Sequence, residues 1–434
     1  MDKMADVLGR AGAWCGQNKY LSAIKNAFQN FMPLTIAGAI GVLWCNVLVN
    51  DQTGLGLFFK PIMALDFLNP AFQAVNFCTI SCITVGITLG IAQEIGVWNM
   101  GAEKAGYIPG LVGLAAWLSV TNTSHMVEGA KEAFTGIAGN ELGATGLFTG
   151  MIIGVLSVEL FCFFEKQDAL KIKMPEQVPP GVARAFEVLV PATITLIITA
   201  CIGSACYNLT GLYLNDVIKN GIQGPLGAVG ATIPGVMIIY LVIMLFWLVG
   251  IHGNNMLSAV KEALFTPLAL ENVEKFNKGE KPTNIINMYA LQMWGEFGGS
   301  GVTIGLVIAI MIFGKREDNK AIATLSLVPG LFNINETVTF GIPMVLNPIL
   351  GIPLVVAPLV TIIIGYVLTV IGFCPVACLT VPWTTPPIVF GFLACGANVM
   401  GAVTQAILIV VSTVIYVPFL ISYEKYQNKQ AAEA

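Results

Sequence analysis

The side chains with the most chemistry to offer lie in Pro329 to Pro348, PGLFNINETVTFGIPMVLNP, where Glu336 and the amides Asn333, Asn335 and Asn347 sit among residues suited to hydrocarbon. A carboxyl group in such company is costly and marks a substrate or ion site. Two amides in the same turn as a carboxyl can hydrogen-bond it or share a polar ligand with it. Proline and glycine bracket the cluster on both sides (Pro329, Gly330, Gly341, Pro343), which predicts a broken or re-entrant backbone. Irregular backbone at membrane depth survives only where protein or a wet cavity satisfies its amide groups. The segment therefore reads as the wall of a polar cavity.

Histidine occurs only twice. His252 follows an apolar stretch and neighbours Asn254 and Asn255; an imidazole there can take or give a proton near neutral pH, or simply cap a helix. His125, in TNTSH beside Glu128, reads as a solvated loop residue. Trp247 and Trp383 are rigid, amphipathic plates able to stack on a sugar ring, with interfacial anchoring the alternative for Trp247. Glu296, among the glycines of WGEFGGSG, is a further candidate. Carboxylate, amides and indoles together suit a neutral, hydroxyl-rich ligand. An anionic one would call for a core lysine or arginine, and the stretch 321–423 contains none. Ion coupling usually needs several acids, and the clear candidate is single.

The elements that position these groups follow from composition. The 434 residues are 56% hydrophobic and 11% charged, with a mean hydropathy of +0.79. A soluble domain carries about 25% charged residues, so a water-facing surface cannot be built from this chain. The net charge of −4 and the lack of a basic stripe give no support to a nucleic-acid partner. Ten cysteines, none in a CxxC spacing and most within apolar runs, behave as small hydrophobes and imply neither a metal site nor a cofactor. Residues 1–30 carry Lys3, Arg10, Lys19 and Lys25 without a compact apolar core, so no secretory signal is expected.

The fold class expected is an all-α polytopic membrane protein with about ten transmembrane helices, two re-entrant hairpins and interfacial amphipathic helices. Residues 20–31 read as one such amphipathic helix, followed by apolar segments at 31–50, 71–92, 108–122, 144–164, 188–208 and 232–251. The second hairpin is expected at 381–396, VPWTTPPIVFGFLACG. Lysine and arginine number four before residue 31, four in 165–187, four in 253–289 and three in 315–320. That distribution places both termini in the cytoplasm. It also leaves a difficulty, because two cationic stretches flank the apolar 296–314; either 285–314 enters and returns, or 253–289 itself dips inward. Glycines at four-residue spacing (Gly86, Gly90; Gly146, Gly150, Gly154) predict close helix contacts in the first half. The expected organisation is a helical scaffold and dimerisation domain over 1–173, a linker and connecting span over 174–231, and a substrate-binding domain over 232–434.

Four stretches in order, MPEQVPPGVARAFEVLVPA (174–192), WLVGIHGNN (247–255), NINETVTFGIPMVLNP (333–348) and PWTTPPIVFGFLACG (382–396), resemble the membrane-spanning IIC component of phosphotransferase-system sugar permeases. The lactose, cellobiose and diacetylchitobiose group is the nearest match. The resemblance implies a homodimer in a bacterial cell membrane, among lipid, whose C-terminal half encloses one disaccharide. It also implies that His252 and Glu336 lie near the hydroxyl to be phosphorylated. The phosphate donor would be a phosphocysteine on a soluble IIB protein, itself recharged through IIA, so no activity is expected of this chain alone. Two other readings use the same broken helices: an ion-coupled secondary sugar transporter, which would deliver unmodified sugar, and an intramembrane transferase or hydrolase acting on a lipid-linked substrate.

Overall fold

Where no water is at hand, a backbone must satisfy its own N–H and C=O groups, and the long apolar stretches of this chain do so as helices. In the computed structural model residues 10, 14, 17–51, 55–125, 134–175, 177–225 and 230–433 are described; Glu128 lies outside them. Six helical stretches among these are long and apolar enough to cross a membrane: Lys19–Leu48, Lys60–Met100, Ala144–Glu165, Pro180–Thr210, Gly351–Val370 and Val399–Glu433. Shorter apolar helices cover Ile108–Val120, Ile233–Leu248 and Ile304–Phe313. The chain is an all-α polytopic membrane protein. The 22 residues of Ala144–Glu165 extend about 33 Å at 1.5 Å per residue, enough for a hydrocarbon layer of about 30 Å.

Backbone contacts divide the chain into two compact units, the first comprising Gln17–Gly38 and Ala74–Gly227. It contains most of α1 (Lys19–Leu43), the second half of α2 (Asn69–Cys78), and α3 (Ile83–Met100), α4 (Ile108–Val120), α5 (Ala144–Glu165) and α6 (Pro180–Thr210). The segment read as an amphipathic lead-in at 20–31 continues into α1 without a break, with Pro33 inside the helix. Helices α3, α4 and α5 pack tightly, burying Ile87, Ile91, Ile95, Trp117 and Phe161. The glycine spacing has a steric reason: a Cβ on Gly150 would stand 2.2 Å from the Thr88 hydroxyl oxygen and 2.8 Å from the Thr84 methyl carbon. Gly150→Ala is therefore expected to cost about 1–3 kcal/mol through overpacking, read as a lowered melting temperature in detergent; an unchanged value would mean that the helices can part at no cost.

Several charges in this unit are paired. Lys19 meets Glu159 at 2.6 Å, and the buried Glu165 meets Lys104 at 2.9 Å and Arg184 at 3.0 Å. His125 lies in a two-stranded ladder, Ser124–His125 against Phe134–Thr135, with its Nε2 3.2 Å from the Asn122 carbonyl.

The second unit contains Ala39–Gln73 and the described residues of Ala228–Ala434. Asn46 donates to the Asn277 side chain at 3.1 Å within it. Its helices are α7 (Ile233–Leu248), α8 (Gly253–Met256), α9 (Ser258–Asn277), α10 (Met288–Gly295), α11 (Ile304–Phe313), α12 (Glu317–Leu331), α13 (Glu336–Gly341), α14 (Gly351–Val370), α15 (Val389–Ala394) and α16 (Val399–Glu433). Residues 288–313 are thus two short helices parted by turns, not one span. Gly298, Gly299 and Gly301 in those turns adopt φ of 69°, 89° and 84°. A side chain at Gly299 would also strike Asn335, whose Cβ lies 2.6 Å from the position a new Cβ would take. The polar loop after α9 is tied to the irregular stretch that follows α14 through amides: Asn272 donates to Asn284 O and Ala377 O at 2.9 and 3.0 Å, and Asn287 donates to the same two carbonyls.

Candidate functional site

Helix α12 stops at Leu331, just beyond Pro329, and the chain turns through Asn333 at φ 62°. Asparagine tolerates this left-handed conformation better than most residues because its short side chain bonds locally. Asn333 Oδ1 accepts from Gly298 N at 2.6 Å, while Nδ2 donates to Trp383 O and, at 3.1 Å, to Thr385 O. One side chain thereby joins three irregular segments. Asn335 is 3% exposed and donates to Ser300 O at 2.8 Å. Both asparagines are wall-builders whose bonds go to backbone. Glu336 then opens α13, its carboxylate in the first turn, where helix N–H groups favour negative charge.

The second broken segment makes another wall. Ile388 stands at φ 75°, strained for a β-branched residue. Gln405 of α16 compensates by accepting from both Ile388 N and Gly391 N at 2.8 Å, and it donates to Met293 O at 3.2 Å. The third wall begins after α7, where His252 caps α8: its Nδ1 accepts from Asn255 N at 3.2 Å. Its Nε2 lies 3.9 Å from Glu336 Oε1.

These walls enclose a cavity of about 540 Å³, in the range of small-ligand sites. His252, Asn254, Asn255, Glu296, Asn333, Asn335, Glu336 and Trp383 all line it. Trp247 does not: it is 1% exposed, and its ring backs His252 with centroids 4.6 Å apart. Asn347 is elsewhere, accepting from Ile349 N and Leu350 N at the start of α14 and facing an apolar groove. Asn254 donates to Ser300 Oγ at 2.9 Å. Glu296 accepts from the Tyr240 hydroxyl at 2.6 Å and forms an ion pair with Lys261.

Sequence reasoning passed over Lys261, Gln292, Phe297, Ser300, Phe390 and Gln405. Two of these carried a signal, since Gln292 and Gln405 are amides within apolar helices, the pattern that singled out Glu336. Lys261 was tallied as a loop charge, yet it is 5% exposed.

The chain matches the profile of the family described as phosphotransferase system, EIIC over residues 25–358. It is 32% identical over 429 residues to the oligo-beta-mannoside-specific EIIC component of Bacillus subtilis, covering 98% of this chain and 94% of the relative. It is 29% identical over 486 residues to the cellobiose-specific EIIC component of Lactococcus lactis, covering 98% of each. Among solved structures it resembles the transporter ChbC, the IIC component from the N,N'-diacetylchitobiose-specific phosphotransferase system, with TM-score 0.88, 29% identity and 97% of each chain covered. Agreement of profile, full-length relatives and fold leaves no place for the ion-coupled transporter: the chain belongs to the phosphotransferase-system EIIC family and is a sugar-transporting IIC component of that system.

Proposed function

We propose that this chain carries a β-linked disaccharide of the cellobiose or diacetylchitobiose type and presents it for phosphorylation by a phosphorylated IIB partner. The observation that carries the reading is the juxtaposition of His252 and Glu336, 3.9 Å apart, on the wall of a cavity also lined by Trp383 and two asparagine-bearing segments. Phosphoryl transfer asks mainly for positioning, charge stabilisation and a group to take the acceptor's proton. The sugar hydroxyl oxygen attacks phosphorus, the P–S bond of the donor phosphocysteine breaks, sulfur leaves as thiolate, and the hydroxyl proton passes to a protein base.

That base is Glu336. Because His252 Nδ1 already accepts from Asn255 N, a neutral imidazole carries its hydrogen on Nε2, the atom facing Glu336. In that state the Nε2 hydrogen is turned to Glu336, 3.9 Å away, and the carboxylate keeps its lone pairs free. Asn333 and Asn335 shape the wall, Asn254 and Asn255 offer amides, and Trp383 offers a ring face. The polar groups match the β-linked sugars named for the relatives, and no lysine or arginine lines the cavity among the described residues.

The remaining organisation follows from the same reading. Residues 1–173 supply a dimer scaffold, 174–231 a linker, and 232–434 the sugar-binding part; the homodimer sits among the lipids of a bacterial plasma membrane with both termini cytoplasmic, where IIB, recharged by IIA, can reach it. The test is equilibrium binding of cellobiose, diacetylchitobiose and lactose to the purified chain, repeated with His252→Ala and Glu336→Gln. Wild type is expected to bind one of the β-linked sugars, and His252→Ala to bind it at least tenfold more weakly. Equal affinity in all three proteins would remove the site assignment.

A further inference from the structure

Lys261 is the single lysine or arginine buried among the described residues. It lies on α9, off the cavity wall, and its Nζ binds Glu296 Oε1. The same Oε1 accepts from the Tyr240 hydroxyl at 2.6 Å, and Nζ lies 3.5 Å from Asn254 Oδ1 and 5.6 Å from the centre of the Tyr240 ring. Glu296 lines the cavity, yet both of its side-chain bonds go to one oxygen; among the described residues Oε2 has no hydrogen-bond partner. A buried cation is expensive unless paired and hydrogen-bonded, so its place behind a cavity-lining carboxylate calls for a reason.

We propose that Lys261 is a positioning residue for sugar recognition, which, by occupying Oε1 together with Tyr240, aims Glu296 Oε2 into the cavity as a fixed acceptor for sugar hydroxyls. The inference rests on the disaccharide reading and divides the acids between two tasks. Glu296, held from behind, orients the sugar, whereas Glu336, which faces His252, receives the proton. Asn254 extends the same arrangement, because it faces Lys261 through Oδ1 and Ser300 through Nδ2, and so ties the pair to the turns that carry Glu296.

The experiment uses the full chain in detergent, the sugar from the panel above that wild type binds, and its monodeoxy analogues. In wild type, removing the hydroxyl that meets Oε2 is expected to weaken binding tenfold or more, as expected for a hydrogen bond to a charged group. In Glu296→Gln that analogue's penalty should shrink to within about threefold, leaving the penalties at other positions in place. Lys261→Met should erase the same penalty and no other, Lys261→Arg should restore it, and Lys261→Met with Glu296→Gln should lose no more affinity than Glu296→Gln alone. Should the Met variant aggregate, Lys261→Ala, which likewise leaves Oε1 without its cation, serves in its place with the same expected profile. A Lys261 variant weakened evenly across all analogues, or one with the wild-type profile, overturns the proposal; so does a further loss in the double variant, which would mean that Lys261 touches the sugar itself. If wild type binds none of the sugars, the functional reading falls and this inference with it, an outcome separate from any difference among variants.

Discussion

Glu336→Gln is expected to lower the rate of sugar phosphorylation by phosphorylated IIB by about 10²- to 10⁴-fold, the usual contribution of a positioned general base. The amide keeps the size and most of the hydrogen bonding of the carboxyl, so the sugar still enters the cavity and binding should fall much less than rate. His252→Asn provides the contrast. An asparagine side chain can still accept from Asn255 N and cap α8, while the imidazole N–H facing Glu336 is lost; the expected decrease is about tenfold, that of an orienting polar neighbour. Membrane vesicles carrying each variant, supplied with phosphorylated IIB and labelled sugar, give both rates. A His252→Asn loss as deep as that of Glu336→Gln would move the base to the imidazole.

Much of this site was legible because hydrocarbon makes polar residues conspicuous. Glu336, Asn333, Asn335 and His252 stand out against their neighbours, and the prolines and glycines around them announce that the helices break there. What stayed hidden was how each polar group is used. Asn333 and Asn335 looked like ligand groups; in the fold their bonds go to backbone on other segments, a distinction that depends on contacts 35 to 52 residues away in sequence. Trp247 looked like a stacking plate and instead supports His252 from behind.

Lys261 shows the limit of charge tallies. It belongs to a stretch with the lysine content of a cytoplasmic loop, so the rule that orients spans counted it as solvated. Only the tertiary fold brings its ammonium to Tyr240 of α7 and to Glu296 just beyond α10. The tally also left the apolar 296–314 unassigned; three glycines at positive φ stand near its start and part α10 from α11. Glycine-rich WGEFGGSG hinted at a break, but its precise cause, the approach of Asn335 to Gly299, is a tertiary fact.

The largest loss of stability is expected at Asn333. Three bonds converge on its side chain, from Gly298 N and to Trp383 O and Thr385 O, and its backbone is held at φ 62°. Each intramolecular hydrogen bond contributes about 1 kcal/mol net, and leaving the partners unsatisfied costs more; a residue with an ordinary side chain adds about 1–2 kcal/mol for the left-handed conformation. Asn333→Ala should therefore cost about 4 kcal/mol, with a lowered melting temperature and loss of sugar binding together, because the 296–303 turns and both broken segments lose their common tie. Asn333→Gly separates the two causes. It removes the same three bonds but relieves the backbone, so it should be about 1–2 kcal/mol more stable than Asn333→Ala while binding sugar no better. If the glycine variant recovers binding as well as stability, the backbone turn alone shapes the cavity and the amide's three bonds are incidental.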